Sequence, residues 1–536
     1  MSTTPFWVAA LVYCALMLLV GISTRVKRHI KTRSDPLSSL EYWLAKRELP
    51  FWRLGVSLTS GWLMLGWVGF GMSMVYMYGM TGLWILPVPW FILCFIIIAM
   101  VPFVRRLPAV SLPQALEKRF GTSARTLLAI FSAGVFLAWT QAELFMGGNL
   151  MAPFLGIPTW ACMLLLALPI AVYTYMGGFR AVVTTDVIQF LLMSVFMIIL
   201  AVTALNAASD ASSGDIAGAL RACAPPWAGE GNALNPWVLG VLFPIVLLIG
   251  YLPGWMIESD LVQRIQAMKT TREARKGAVL ALFLITAFVL VLPSITAFCS
   301  LVVFPPVDGA PPDAIGGDAL GIISAFISTM PLGLAVFMLI GIMACQMSTV
   351  DTFAQVTAMP VAFDLVEPSQ VKHGVPREKR LRTTRIISVL AVLAALGCAL
   401  VSETLGDVYY ISSGVLSACI AVPAFFIFWR RTTLPAVITS AVAGFLGTVG
   451  MYWFEYKHLQ YSDPALPNYY TDVLPGWLAG SYGYIYVASG VLVSALLIVL
   501  VSFVTKRPPQ ARLDQVRAEP VDDFGEFARS SAPETS

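Results

Sequence analysis

Charge is what this 536-residue chain has least of: Asp, Glu, Lys and Arg together make up 12% of it, about half the share of a soluble domain. Histidine is scarcer still, with three residues in the chain, so an imidazole metal centre has almost no material to be built from. Of the eight cysteines only Cys223 falls in a long polar loop and no C-x-x-C pair occurs, which removes a disulfide framework and a zinc site. Long polar stretches are also few. The loop 207–236, rich in Ala, Ser, Gly and Pro, is too short for a domain, and the tail 506–536 reads as disordered and cytoplasmic. With no appended domain, and no nucleophile–base pair or metal cluster at membrane depth, an enzyme is not expected. The net charge of +4 is no nucleic-acid signal either, because the basic residues sit in short gaps between apolar runs.

Those apolar runs dominate. Hydrophobic residues make up 58% of the chain and the mean hydropathy is +0.79. Thirteen runs long enough to cross a bilayer lie near 6–24, 54–78, 82–104, 126–150, 157–176, 181–206, 237–258, 277–304, 319–350, 386–402, 408–429, 434–454 and 480–504. The first has no basic residue before it and no small-residue cleavage pattern, so it is expected to stay as a span. Placing the N-terminus outside makes alternate loops cytoplasmic. Those loops and the tail then hold every Lys and Arg except Arg221 and Lys457, while outer loops carry Asp210, Asp215, Asp308, Asp313, Asp407 and Asp472. Adding or removing one span would scramble that alternation. The expectation is an all-α membrane protein of about thirteen spans, N-terminus out and C-terminus in, multi-pass in the plasma membrane (the inner membrane of a bacterium).

Backbone that leaves the helix inside a bilayer is tolerated around a cavity or an ion, and carriers built from inverted repeats place such breaks at matching positions. Span two has Ser60-Gly61-Trp62 followed by Gly66, Gly69 and Gly71, and span seven has Gly250-Tyr251-Leu252-Pro253-Gly254-Trp255. Each opens a set of five spans, and an odd number per set turns the second set over. The repeats are expected at about 54–206 and 237–429, inside a transmembrane domain 1–505. Three acids lie at depth: Glu143, Asp186 near one end of span six, and Asp351 at the inner end of span nine. Gln346, Ser348, Thr349 and Asp351 close span nine in a polar cluster whose hard oxygens suit an alkali cation, although Ser and Thr also bond back to their own helix. Asp186 after two threonines also fits a helix cap. Tyr251 and Trp255 share one helix face, as core or as the wall of a solute cavity.

Two stretches then carry a family resemblance. Gly177-Gly178-Phe179-Arg180-Ala181-Val182 with Thr185-Asp186 and Gln189, and Met347-Ser348-Thr349-Val350-Asp351-Thr352, resemble segments of the sodium/solute symporters, the family of sodium/proline, sodium/sugar and pantothenate carriers. Gln263-Arg264 and Ser60-Gly61-Trp62 add weaker matches, the latter to proline carriers. The resemblance implies a five-plus-five inverted-repeat core of the LeuT-like kind, with Na+ between spans two and nine. By position its ligands would be the carbonyls of Val56, Thr59 and Cys345 and the hydroxyls of Ser348 and Thr349. Asp186 would serve sodium movement near the inner exit, beside Asp351 as a second coupling acid. Ser60, Gly61, Trp62, Trp139, Tyr251 and Trp255 would line the solute site.

The sequence departs from proline carriers in places. Leu58 replaces an acid, Asp260-Leu261 replaces a polar pair, and Glu143 has no counterpart in the family pattern, which leaves it as a contact for a cationic group on the solute. Sodium-coupled symport of a small organic solute follows, with an amino acid such as proline ahead of a monocarboxylate, a sugar or urea. Aromatic walls without a buried Lys or Arg disfavour a bulky dianion. A solute sensor and a proton-coupled symporter are the alternatives. The expected partners are the solute, sodium and the lipid bilayer, with no nucleic acid and no obligate protein partner.

Overall fold

The computed structural model describes residues 3–31, 39–107, 109–402, 406–459, 484–514 and 516. Most of the expected tail, Asp472 and the Lys457 side chain lie outside the described residues. Among those described, the elements are helical and no strand occurs. Sixteen helices organise the fold. They are α1 (Thr4–Lys31), α2 (Phe51–Trp62), α3 (Leu65–Tyr78), α4 (Pro87–Arg106), α5 (Thr122–Leu155), α6 (Thr159–Gly177), α7 (Phe179–Ala211), α8 (Leu242–Trp255), α9 (Ser259–Gln266), α10 (Thr271–Ile285), α11 (Leu292–Val303), α12 (Leu332–Met359), α13 (Arg377–Ala399), α14 (Gly406–Val415), α15 (Leu434–Leu459) and α16 (Ile485–Val504). A π-helical turn joins α10 to α11 (Thr286–Val291), another extends α12 (Pro360–Val366) and a third follows α14 (Leu416–Ala421).

Apolar runs of this length fold as helices because in lipid each backbone N–H and C=O must find its partner within the segment. Among the described residues, ten segments are long and apolar enough to cross a membrane, and two further helix pairs qualify as bent spans. Large apolar side chains such as Leu191, Phe283, Leu390, Leu446 and Leu496 stay exposed on the outer faces, as lipid contact requires. Helix α12 is the axis of the bundle, packed against α2, α5, α7 and α13. The loop before α8 folds over the end of α3, where Met80 N–H donates to the Ala233 carbonyl (2.7 Å) and Trp227 N–H to that of Met77 (2.8 Å).

Both bent pairs lie in the segments whose glycines and prolines marked them. Helices α2 and α3 meet at 60° across Leu63 and Met64. Helices α8 and α9 meet at 44°, but the helix runs through Gly250 and Pro253 and stops after Trp255, later than the sequence expectation. Pro253 lacks an N–H and cannot extend the ladder. The Gly254 N–H beside it finds an acceptor outside the helix, the Ser417 hydroxyl at 2.9 Å. A second correction concerns span nine. Its continuous helix begins at Leu332, not at 319, and reaches Met359, so Ser348, Thr349 and Asp351 sit in mid-helix instead of closing the span. Phe353, Ala354, Val356, Ala358 and Met359 continue the buried apolar pattern beyond them, so nothing ends the helix there.

Candidate functional site

The bend in α2/α3 lies at the centre of the molecule, with an ionic network on its α2 side and an aromatic cluster on its α3 side. Helices α2, α7, α9 and α12 each give the network one or more polar groups. Ser60 of α2 and Ser348 of α12 have their hydroxyl oxygens 2.7 Å apart, and Ser348 donates to Asp186 Oδ1 of α7 at 2.9 Å. Ser57 donates to the other Asp186 oxygen. Arg264 of α9 points into the same cluster: Nε donates to Ser57 Oγ (3.0 Å), Nη2 to Thr352 Oγ1 (3.0 Å) and to Asp186 Oδ2 (3.5 Å), and Nη1 to Asp260 Oδ2 (3.3 Å). All of these side chains are fully or almost fully buried. A buried guanidinium beside carboxylates needs further hydrogen bonds. Ser57 and Ser348 supply them to Asp186, and Ser57 and Thr352 to Arg264, while Asp260 Oδ1 is left without a partner among the described residues. One turn along α12, Asp351 accepts from the Tyr173 hydroxyl of α6 at 2.8 Å.

Above the bend, Trp67 of α3 packs against Tyr409 of α14 with ring centroids 4.6 Å apart, and edge-on to Tyr251, Trp255 and Tyr410 at 5.9–6.3 Å. Tyr251 stacks on Trp255 at 4.7 Å and on Tyr410 at 5.8 Å. These rings are sealed from solvent, Tyr251 being 0% and Trp255 1% exposed, so the structure is a closed one.

Several sequence-predicted residues come together and others part. Ser60, Ser348 and Asp186 form one cluster, and the Thr349 hydroxyl donates to the Cys345 carbonyl at 3.0 Å. The Thr59 carbonyl accepts Leu63 N–H (2.9 Å), and half-buried Val56 lies one turn before Ser60 on α2. Tyr251 and Trp255 stack on one face of α8. Trp62 sits on the ionic side, its Nε1 donating to Asp260 Oδ2 at 3.1 Å, and reaches Trp255 only through Trp90. Gly61 clears space for the guanidinium: a Cβ there would lie 3.0 Å from Arg264 Nη2. Trp139 turns to Ser412 (2.6 Å) and packs on Phe136 and Phe353, apart from the Tyr251–Trp255 stack.

One sequence reading is corrected by this geometry, and Glu143 gains partners that the sequence did not announce. Arg264 is a buried arginine at the site, drawn inward by two carboxylates that lie far from it or one turn from it in sequence. Glu143, expected to meet a cationic group of the solute, is engaged by the protein. Its oxygens accept the N–H groups of Gly66 (3.0 Å) and Trp67 (3.3 Å) and the Tyr409 hydroxyl. With its amide in the orientation that satisfies both ends, Gln346 donates to Glu143 Oε2 at 3.1 Å. Sequence reasoning also missed Trp67, Tyr409 and Tyr410. The adjacent tyrosines at the start of an apolar span were the available signal.

Membrane-long helices, two of them bent beside buried oxygens and an aromatic cluster, are the build of a secondary transporter and not of an enzyme. The chain belongs to the sodium:solute symporter family, whose model matches residues 42–444. It is 27% identical to a sodium/glucose cotransporter of Vibrio parahaemolyticus over 80% of this chain and 81% of that one. It is 24% identical to the osmoregulated proline transporter OpuE of Bacillus subtilis, over 75% and 76% of the two chains. Its fold is shared with a Na+-coupled sialic acid symporter solved in a substrate-bound outward-open state, at a TM-score of 0.72 and 17% identity over 94% of this chain and 98% of that one. The family defines the activity as sodium-coupled symport of a solute by a multi-pass plasma-membrane protein.

Proposed function

We propose that this symporter carries a small, electrically neutral organic solute, with sodium bound where α2 crosses α12 and the solute held against the aromatic cluster at the two bends. The carrying observation is the oxygen cluster of Ser60, Ser348 and Asp186, which joins a broken helix to the central helix. The carbonyls of Val56, Thr59 and Cys345 and the hydroxyls of Ser348 and Thr349 are the proposed sodium ligands. Asp186 attracts the ion as it leaves, in exchange with the Arg264 guanidinium, and Asp351 supports it from the next turn. Tyr251 and Trp255, with Trp67 and Tyr410, form the solute wall, and Ser60, Gly61, Trp62 and Trp139 shape its margins.

A neutral solute is favoured because Arg264 is paired with Asp186 and Asp260, and Glu143 with amides and hydroxyls, so neither the guanidinium nor Glu143 is left for a charged solute group. The names of the two relatives above, a glucose and a proline carrier, are consistent with that charge class. The five-plus-five repeat arrangement and an external N-terminus belong to the same reading, whereas the described part of the expected disordered tail holds a short helix, Gln510–Asp514, with Leu513 buried. One sodium ion moving down 100 mV supplies about 2.3 kcal/mol, and a tenfold gradient adds about 1.4 kcal/mol. Together these support accumulation of roughly a few hundredfold per ion.

The test is uptake into proteoliposomes of labelled proline, other amino acids, monocarboxylates, sugars and urea, with and without an inward sodium gradient. Sodium-driven uptake of a neutral solute, lost in Ser348→Ala/Thr349→Ala, is the expected result. Uptake that follows a proton gradient and ignores sodium would overturn the ion site. A folded protein that moves none of them would favour the sensor alternative.

A further inference from the structure

The first turn of an α-helix has amides without intrahelical partners and a partial positive charge, and a broken-helix carrier can offer that terminus to an anionic group of its substrate. In this chain the terminus of α3 is already filled. Gly66 and Trp67 are its second and third residues, the positions whose N–H groups a cap normally takes. No side chain of the preceding residue does so: Met64 occupies the cap position and makes no side-chain bond. The carboxylate comes from Glu143, a different helix and 76 residues away from Trp67 in sequence. It is 0% exposed and receives two amides, the Tyr409 hydroxyl and the Gln346 amide. Gly66 is required for the approach, since a Cβ would lie 2.7 Å from Glu143 Oε1. Tyr409, whose hydroxyl donates to the same carboxylate oxygen as Trp67 N–H, is also the ring packed on Trp67, so the cap and the aromatic cluster share a residue.

We infer that Glu143 is a specificity-determining residue: it fills with the protein's own carboxylate the helix terminus that would otherwise take a carboxylate from the substrate. The solute selected is therefore one that brings no free carboxylate to this terminus, such as an uncharged solute held by aromatic faces, in preference to an amino acid or a monocarboxylate. This narrows the neutral-solute symport reading and rests on it for the choice of solute. The cap itself does not depend on that reading. Because Glu143 is matched within the protein, it acts by excluding one class of ligand group, and Tyr409 and Gln346 hold it in register for that role.

Acetate provides a direct probe, because replacing Glu143 by Ala removes a methylene carboxylate of nearly the same size. The full chain, purified in detergent, is unfolded by heat in sodium acetate and in sodium chloride at equal sodium concentration. Glu143→Ala is expected to unfold at a temperature that rises with acetate and not with chloride, while the unsubstituted protein shows no such difference. In proteoliposomes, the sodium-driven uptake of a hexose or an inositol should fall about tenfold or more in Glu143→Ala, the loss produced by leaving buried donors unpaired, and should recover in part with acetate. Uptake of proline or pyruvate by the unsubstituted protein should be weak. Strong sodium-driven uptake of proline or pyruvate, or no acetate-specific shift in folded Glu143→Ala, would overturn the inference. If Glu143→Ala does not fold, Glu143→Gln keeps the volume and one acceptor. A lowered unfolding temperature with weakened hexose or inositol uptake supports the inference, and behaviour identical to the unsubstituted protein overturns it. Should sodium drive no uptake of any solute, the symport reading fails, and the acetate shift alone decides the place of Glu143.

Discussion

At the bend between α2 and α3, two amides of the second half-helix are held by a carboxylate from α5. At the bend between α8 and α9, the amide beside Pro253 is held by a neutral hydroxyl, Ser417, which also lies 3.4 Å from the Tyr251 carbonyl. The two bends also differ in where their charge resides. The first borrows its charge from Glu143, and α2 and α3 contribute no ionised group to it. After the second, α9 carries its own pair, Asp260 and Arg264, and projects the guanidinium onto Asp186 and Ser57. A break in a membrane helix thus requires partners without dictating their chemistry. The ionic solution ties the bend into a charged network, and the neutral one leaves a joint that is held by weaker, uncharged bonds.

The contrast can be broken by substitution, measured as the apparent unfolding midpoint of the purified protein together with sodium-driven uptake. The largest effect is expected for Arg264→Met. Two carboxylates lose their buried counter-charge, at a cost of about 3–5 kcal/mol, with loss of uptake. A mild effect would show that the ionic network is solvated and that the two bends are energetically alike. Next comes Gly66→Ala, whose Cβ would lie 2.4 Å from the Tyr409 hydroxyl oxygen. Its expected cost is about 1–3 kcal/mol from overpacking. Gly134→Ala in α5, where nothing lies within 4 Å of an added Cβ, is the control and should be neutral or slightly stabilising. The smallest loss is expected for Ser417→Ala, about 1 kcal/mol for one neutral hydrogen bond. If Ser417→Ala costs as much as Gly66→Ala, the distinction between a charged and a neutral joint disappears.

Much of the fold was legible because hydrophobicity is a local property of the chain. Helices occupy the apolar runs, and the glycines after Ser60 marked the first bend within a few residues. The second bend was displaced because Pro253 lies in the last turn of a helix that runs on to Trp255, and no local pattern announces Ser417 as the acceptor of the Gly254 N–H. Asp186, Ser348 and Ser60 were each recognisable, and their convergence agrees with the expected meeting of spans two and nine. Arg264 was misjudged because a basic residue close to a run of charges, Lys269 to Lys276, looks like part of a solvated loop. Its burial depends on Asp186, 78 residues earlier.

By itself the sequence determined the solvent this protein lives in, its helical build, its family motifs and the oxygen-rich chemistry of its central helix. Each of those follows from residue type and spacing along one segment. Only the tertiary structure decided that Glu143 caps the α3 terminus, that Arg264 is an internal cation and that Trp67, Tyr409 and Tyr410 join Tyr251 and Trp255. Those outcomes depend on which distant helix supplies the missing partner, because a buried charge or amide is stable only beside a group that satisfies it.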